Sequence, residues 1–201
     1  MKKATIVLAL LVACFAGTAS AQDAYVPTWA FGFDARGMLP MGDFGDVSEW
    51  GVGGTAYLAF NVAPQVALTG RAGYLYFGGK EYPAAIGLIT GTAKTNFNMI
   101  PILVGAKFFF SEGDMRVYGA GEAGLFMLSG TATFTPDGGG TETEVDLDGE
   151  SKFGVVPTLG AQFKAGDAMN VDAHVNFPFV FTEDTSTNWL GFGIGFEWIL
   201  N

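Results

Sequence analysis

The chain has 201 residues, of which 49% are hydrophobic and 15% are charged, and it carries a formal net charge of −10. Soluble proteins contain about 25% charged residues, so this composition is unusual for a soluble domain. The acidic balance disfavours a nucleic-acid partner, which would require a basic surface. No apolar run after residue 21 approaches the length of a membrane-spanning helix, which is about 20 residues.

The first 21 residues predict a signal peptide that is removed on export. Lys2 and Lys3 give it a positive start, and the stretch that follows is uncharged and mostly apolar. Ala19-Ser20-Ala21 supplies a small-x-small cleavage site, so the mature chain should begin at Gln22. The remaining residues, 22–201, suit one domain.

Cys14 supports an alternative in which the leader is that of a lipoprotein. Leu11-Val12-Ala13-Cys14 resembles the lipobox, whose cysteine is acylated, but this would leave the Ala-Ser-Ala site unexplained. With cleavage after Ala21 the mature chain has no cysteine, because Cys14 is the only one. Disulfides, thiol chemistry and cysteine-ligated metals are then excluded.

The mature chain alternates bulky apolar residues with small or polar ones at period two, which is typical of strands. An apolar, exported chain without a membrane helix can cross a bilayer as a closed sheet, which exposes no backbone edge to lipid. Eight such segments predict an all-β fold, an eight-stranded antiparallel up-and-down transmembrane β-barrel. The bulky faces, in chain order, include Trp29, Phe31 and Phe33; Trp50, Val52, Leu58 and Phe60; Leu68, Tyr74 and Tyr76; Ile100, Ile102, Val104 and Phe108; Val117, Leu125 and Met127; Phe153, Val155, Leu159 and Phe163; Val171, Val175, Phe177 and Phe179; and Phe192, Ile194, Phe196 and Trp198.

The connections between these strands alternate in length. Outer-membrane barrels have short periplasmic turns and longer extracellular loops, so both termini should lie in the periplasm. The predicted turns are 63–65, 111–114 and 165–167, and the predicted loops are 40–49, 78–94, 129–152 and the shorter 182–188.

The face opposite the bulky side chains carries glycines, small polar residues and charges. An eight-stranded barrel has room inside only for side chains, so this face should line the lumen. Buried charges of both signs should pair, which predicts a closed, salt-bridged plug, with a narrow polar path for solutes as the alternative. A soluble lipocalin-like barrel would instead bury the bulky face. The predicted lumen residues are Asp34, Arg36, Arg71, Lys107, Arg116, Glu122, Lys164, Asp172, His174 and Glu197.

His174 is the only histidine, so a multi-histidine metal site is excluded. A lipid-modifying enzyme would need a base-activated nucleophile, or an acid/base group beside the lipid. His174 has inward parity, and no serine lies at a matching strand position. We therefore interpret it as a hydrogen-bonded interior histidine, and we predict no catalytic residue, metal or cofactor.

Five acidic residues occupy even positions between the fifth and sixth predicted strands. In an extended chain they share one face, in line with the inward face of the strand that follows, so these strands should continue beyond the bilayer as an acidic hairpin. Asp146-Leu147-Asp148-Gly149 resembles part of a calcium loop, but Val155 stands where the bidentate ligand would be. A solvated loop is the default, and weak divalent-cation binding is the alternative. The five residues are Glu142, Glu144, Asp146, Asp148 and Glu150.

Several motifs resemble the outer-membrane protein β-barrel domain family. Gly32-Phe33-Asp34-Ala35-Arg36-Gly37 and the following residues 40–44 resemble its first strand and loop, and residues 100–108 and 118–124 resemble its central hairpin. Gly193-x-x-Phe196-x-Trp198 resembles the C-terminal signal read by the barrel assembly machinery, which the resemblance implies as a partner. The family is functionally mixed, so the resemblance implies a fold rather than an activity.

The leading functional hypothesis is a monomeric, non-enzymatic barrel of the bacterial outer membrane that acts as a scaffold or surface-interaction protein through its extracellular loops. A narrow channel for small or hydrophobic solutes is the second hypothesis, and a lipid A-modifying enzyme is the third. The expected partners are outer-membrane lipid and lipopolysaccharide. Because the last predicted strand ends the chain, no periplasmic domain is expected after the barrel.

Overall fold

The protein is described here by a computed structural model that covers residues 25–182 and 186–200; the predicted signal peptide, residues 1–21, lies outside this part. Ten strands and one short helix make up the described chain. They are β1 (Thr28–Met41), α1 (Gly42–Val47), β2 (Ser48–Ala63), β3 (Val66–Gly79), β4 (Glu81–Ile86), β5 (Ile89–Phe109), β6 (Met115–Pro136), β7 (Thr143–Lys164), β8 (Met169–Asn176), β9 (Phe179–Phe181) and β10 (Ser186–Leu200).

Antiparallel pairing joins these strands into a closed ring with eight positions in its wall. Consecutive wall strands pair with each other, and β1 closes the ring against β10 from Trp29↔Leu200 to Met41↔Asn188. β9 continues the line of β8 and pairs with β7 and β10, whereas β4 pairs only with β5. The predicted eight-stranded up-and-down barrel is confirmed. No helix in the described residues is long and apolar enough to cross a membrane.

Along the wall strands, successive side chains alternate between the outer surface and the lumen, as the period-two pattern predicts. In β1, Phe33 points outward and is 50% exposed, while the next residue, Asp34, points inward and is 5% exposed. The same contrast runs around the barrel, so that the outer surface consists mainly of large apolar side chains. Such a surface suits lipid, and the closed ring leaves no wall strand with an unpaired edge inside the bilayer.

Three of the predicted loops are mostly regular structure. β3, β5, β6 and β7 run on into residues 78–94 and 129–152, and β4 and β5 form a hairpin there. The strand pattern in these segments alternates threonine with apolar residues, as at Thr131, Thr133 and Thr135 of β6. Threonine favours strands, but it lacks the bulk that marks a lipid-facing strand, so the prediction of a loop at residues 78–94 ended those strands too early. The continuation of β6 and β7 through residues 129–152 agrees with the predicted hairpin beyond the bilayer.

Residues 40–49 also differ from the predicted loop, because they hold the helix α1. Gly42 starts it with φ +60, a conformation that favours glycine. The helix turns Phe44 into the mouth of the barrel, where its ring packs 5.0 Å from that of Phe77 and 5.6 Å from that of Phe97. α1 thus covers the end of the barrel that carries the long connections, hereafter the long-loop end. The opposite end, with the tight connections after β2, β5 and β7, is the short-turn end.

Candidate functional site

The interior is the first place to look for a site, because it holds most of the buried charge. In its middle, Asp34 accepts hydrogen bonds from Arg36 and Arg71, both at 2.5 Å, and from the Thr55 hydroxyl at 2.9 Å. Arg71 reaches across the lumen and also donates to Glu122 at 2.9 Å. Each carboxylate therefore faces a guanidinium, which is what buried charges require.

A second network lies nearer the short-turn end. Asp172 accepts a hydrogen bond from Tyr118 at 2.9 Å, lies 2.7 Å from Nδ1 of His174, and forms an ion pair with Lys107 at 3.6 Å. The Lys107 ammonium also sits 4.3 Å above the Tyr118 ring, a cation–π contact. Glu197 completes the network through Lys107 at 3.6 Å, Tyr57 at 3.2 Å and Asn170 at 3.3 Å.

Glycines make room for the bulkiest members of this network. A Cβ on Gly32 would lie 2.5 Å from the Tyr57 ring, and one on Gly160 would lie 2.5 Å from the Tyr118 ring. A Cβ on Gly193 would lie 2.3 Å from Nε2 of His174. A large inward side chain is thus laid flat over a glycine of a neighbouring strand, which fills the lumen without spreading the wall.

Above the charged networks, toward the long-loop end, the lumen is apolar. This layer was not predicted, since the inward face was expected to hold glycines, small polar residues and charges. Trp189 is at its centre, with its ring 5.3 Å from that of Phe77 and 5.9 Å from that of Phe126. The available signal was loss of alternation, as in the continuous apolar run Tyr74-Leu75-Tyr76-Phe77. The layer consists of Met38, Phe44, Leu75, Phe77, Met99, Leu103, Phe126, Val156, Val180 and Trp189.

The structure buries eight of the ten predicted lumen residues and places two at the short-turn rim. Arg116 is half-buried, with its guanidinium 4.1 Å from the centre of the Phe109 ring and donating to Gln162 at 2.9 Å. Lys164 is 51% exposed and lies 3.8 Å from Asp167. It has inward parity, but it is the last residue of β7, so its long side chain reaches water.

His174 has the surroundings of a structural residue. Its Nδ1 is held by Asp172, its Nε2 has no hydrogen-bond partner within the described residues, and its side chain is buried inside the wall. No hydroxyl nucleophile bonds to it there. In the described part of the chain no group of three or more His, Cys, Asp and Glu side chains could hold a metal ion.

The five predicted acidic residues are all exposed on the extension of β6 and β7. They do not share the inward face, however, because the register shifts between Leu128↔Glu150 and Gly130↔Leu147. This β-bulge adds one residue to β7 and reverses the faces beyond it. Asp146 accordingly lies beside Thr131 on the outer face, with 3.3 Å between their side-chain oxygens. The sequence signal that was overlooked is Gly149, which lies within the bulge, since an isolated glycine in a strand pattern often marks one.

These features define a class of protein: an integral outer-membrane β-barrel with a filled interior. The family model for the outer membrane protein beta-barrel domain matches residues 6–198. The chain belongs to that family, and the family places it in a bacterial outer membrane. No curated protein matches it in sequence.

Solved structures of outer-membrane proteins have the same fold. Neisserial surface protein A is similar with a TM-score of 0.56 at 12% sequence identity, covering 87% of this chain and 99% of that one. A major outer membrane protein of Thermus thermophilus is similar with a TM-score of 0.53 at 9% identity, covering 86% of this chain and 99% of that one. At these identities the likeness establishes the fold alone.

Proposed function

We propose that the protein is a closed, non-conducting barrel that displays an interaction surface outside the cell. The observation that carries the first half is the filled lumen. An ion would have to pass the apolar layer around Trp189 and then the two ion-pair networks centred on Asp34 and Asp172. Apolar constrictions exclude ions because they provide no replacement for water of hydration, and buried ion pairs are costly to separate.

The length of the wall on one side supports the second half of the proposal. β5, β6 and β7 have 21, 22 and 22 residues. At about 3.3 Å per residue and a tilt of about 45°, a strand of this length rises by roughly 50 Å, twice the apolar band of about 25 Å. Short turns face the periplasm in such barrels. The parts of β5, β6 and β7 that exceed the apolar band therefore project from the cell surface. Together with β4 they form a sheet, hereafter the extended sheet.

We propose no enzymatic activity for the barrel. The one residue suited to acid–base work, His174, is enclosed by the wall and fixed by Asp172, so it does not meet a lipid headgroup. We also propose that the barrel is a monomer, that it contacts lipopolysaccharide, and that its last strand is recognised by the assembly machinery.

Planar-bilayer conductance of the purified barrel tests the closed lumen, and we expect no unitary currents. A second measurement tests the display: an epitope inserted at Gly138, in the exposed connection between β6 and β7, should bind antibody on intact cells. An epitope inserted at Gly166, on the short-turn side, should bind only after the outer membrane is permeabilised. Regular unitary currents, or the reverse epitope pattern, would contradict the proposal.

A further inference from the structure

Within the described residues, the extended sheet ends in a strand edge that no other strand covers. Lower β7 is paired with β6 on one side, as far as Phe163, and on the other side with β9 at Gly154 and Val155 and with β8 from Thr158 to Lys164. From Thr143 to Leu147, among the described residues, it is paired with β6 alone. An unpaired edge presents a row of peptide N–H and C=O groups that another strand can bind.

The pairing also shows which peptide groups face this edge. The N–H of Lys164 donates to the carbonyl of Asp114 at 2.8 Å, so even-numbered residues of lower β7 bond to β6. The bulge reverses this order above Glu150. Val145 and Leu147 therefore bond to β6, whereas Glu144 and Asp146 direct their N–H and C=O groups to the free edge.

The two faces of this edge strand differ in chemistry. On the face continuous with the lumen, Val145 and Leu147 are 56% and 43% exposed. On the other face, Glu144 and Asp146 are exposed carboxylates next to the threonines of β6. The nearby cations lie away from this segment: Lys94 is 3.9 Å from Glu81 across β4 and β5, and Lys152 is 2.8 Å from Glu150 below the bulge.

We propose that this edge of β7 binds an extended segment of a partner protein in which basic and apolar residues alternate. The inference rests on the proposed function, since it names the partner class of the same displayed surface. Main-chain hydrogen bonds to Glu144 and Asp146 would add the segment as a strand. Its basic side chains would lie beside the carboxylates, and its apolar side chains would cover Val145 and Leu147.

The negative charge of this edge favours a basic segment of a partner protein over a second copy of the chain. An antiparallel pair of two β7 edges centred on Val145 would place Glu144 of each copy opposite Asp146 of the other. Like charges directly opposite each other destabilise a sheet, and acidic edge residues oppose such self-pairing. Anionic lipid headgroups would be repelled by the same carboxylates.

Fluorescence anisotropy tests the proposal with the full barrel in nanodiscs and a labelled short peptide in which lysine and valine alternate. A peptide of the same composition, with its lysines and valines in two blocks, is the control for charge alone. An alternating glutamate–valine peptide is the control for apolar binding. We expect saturable binding of the first peptide, and binding weaker by about tenfold or more for both controls.

Two kinds of variant separate the charge from the edge. Glu144→Gln and Asp146→Asn should each weaken binding up to about fivefold, whereas Asp137→Asn, at the tip of the same hairpin, should not. Asp146→Pro removes a peptide N–H that faces the free edge without removing one that bonds to β6, and should weaken binding about tenfold. Heat-modifiable mobility verifies that each variant is folded. If Asp146→Pro does not fold, the two charge variants alone test the proposal.

Equal binding of the alternating and block peptides, or charge variants that bind like the parent, would overturn the proposal. If the alternating peptide fails to bind while the barrel is closed and its Gly138 epitope is accessible, the partner class is wrong and the proposed function stands. Unitary currents would instead contradict the proposed function itself, because they would show that the barrel is not closed.

Discussion

Replacement of Arg71 by methionine should destabilise the barrel more than any change to its surface charges. Arg71 is buried and binds both Asp34 at 2.5 Å and Glu122 at 2.9 Å. Methionine replaces the apolar stem of the side chain but not the charged guanidinium. Among the described residues, it would leave Glu122 with the Thr69 hydroxyl alone, which donates at 2.9 Å, while Asp34 would keep Arg36 and Thr55. Removing one partner of a buried ion pair costs about 3–5 kcal/mol.

The free energy of unfolding can be measured by urea titration of the barrel folded in lipid vesicles, followed by tryptophan fluorescence and gel mobility. We expect Arg71→Met to lower it by about 3–5 kcal/mol. Lys94→Met is the matched control, because Lys94 is more exposed and lies 3.9 Å from Glu81; its cost should stay below about 1 kcal/mol.

Arg71→Met combined with Glu122→Gln should recover part of the loss, because the buried carboxylate that lacks a partner is neutralised. A double-mutant cycle then isolates the interaction between Arg71 and Glu122. If Arg71→Met costs no more than Lys94→Met, or if the double variant loses the full sum of both single variants, the argument that the charged layer stabilises the barrel through pairing is refuted.

Three further predictions concern other layers of the molecule and its leader. Gly193→Ala should lower the free energy of unfolding by about 1–3 kcal/mol, because its Cβ would meet the His174 ring; His174→Ala in the same chain should restore most of it, and additive losses would argue against the contact. Trp189→Ala should lower the free energy of unfolding by about 3–5 kcal/mol by opening a cavity. It should give no unitary currents in a planar bilayer, since the ion pairs below are intact; ion currents in this variant would make Trp189 the sole barrier. N-terminal sequencing of the barrel from outer membranes should begin at Gln22, and an acylated Cys14 would instead identify a lipoprotein.

The wall of the barrel could be predicted from the sequence because lipid imposes one rule on every strand. Phe33 beside Asp34, or Phe196 beside Glu197, shows the alternation directly, and it needs no knowledge of which strands are neighbours. The predicted strand count followed from this rule alone. The charged residues of the inward face could be identified in the same way.

Pairing inside the lumen depends on tilt and stagger, which the sequence does not display. Arg71 binds Asp34 on β1 and Glu122 on β6, across strands that are not adjacent to its own, and no local pattern indicates this. The apolar layer was missed because the inward face was expected to hold small and charged residues, although Trp189 has the same inward parity as Gly191 and Gly193. The face of Asp146 was missed because one extra residue in β7 reverses everything beyond it.

The seam between β1 and β10 has a consequence for the order of folding. Every other wall seam joins strands that follow one another around the wall in chain order. The pairing of such strands can start at the turn or loop that connects them. This seam brings the first and last strands together, and its loop-closure entropy is therefore the largest. Stacked aromatic rings span it on the lipid side, with Phe31 and Trp198 at 5.3 Å. We therefore expect the cylinder to close last, and the stacked rings to stabilise the closed seam.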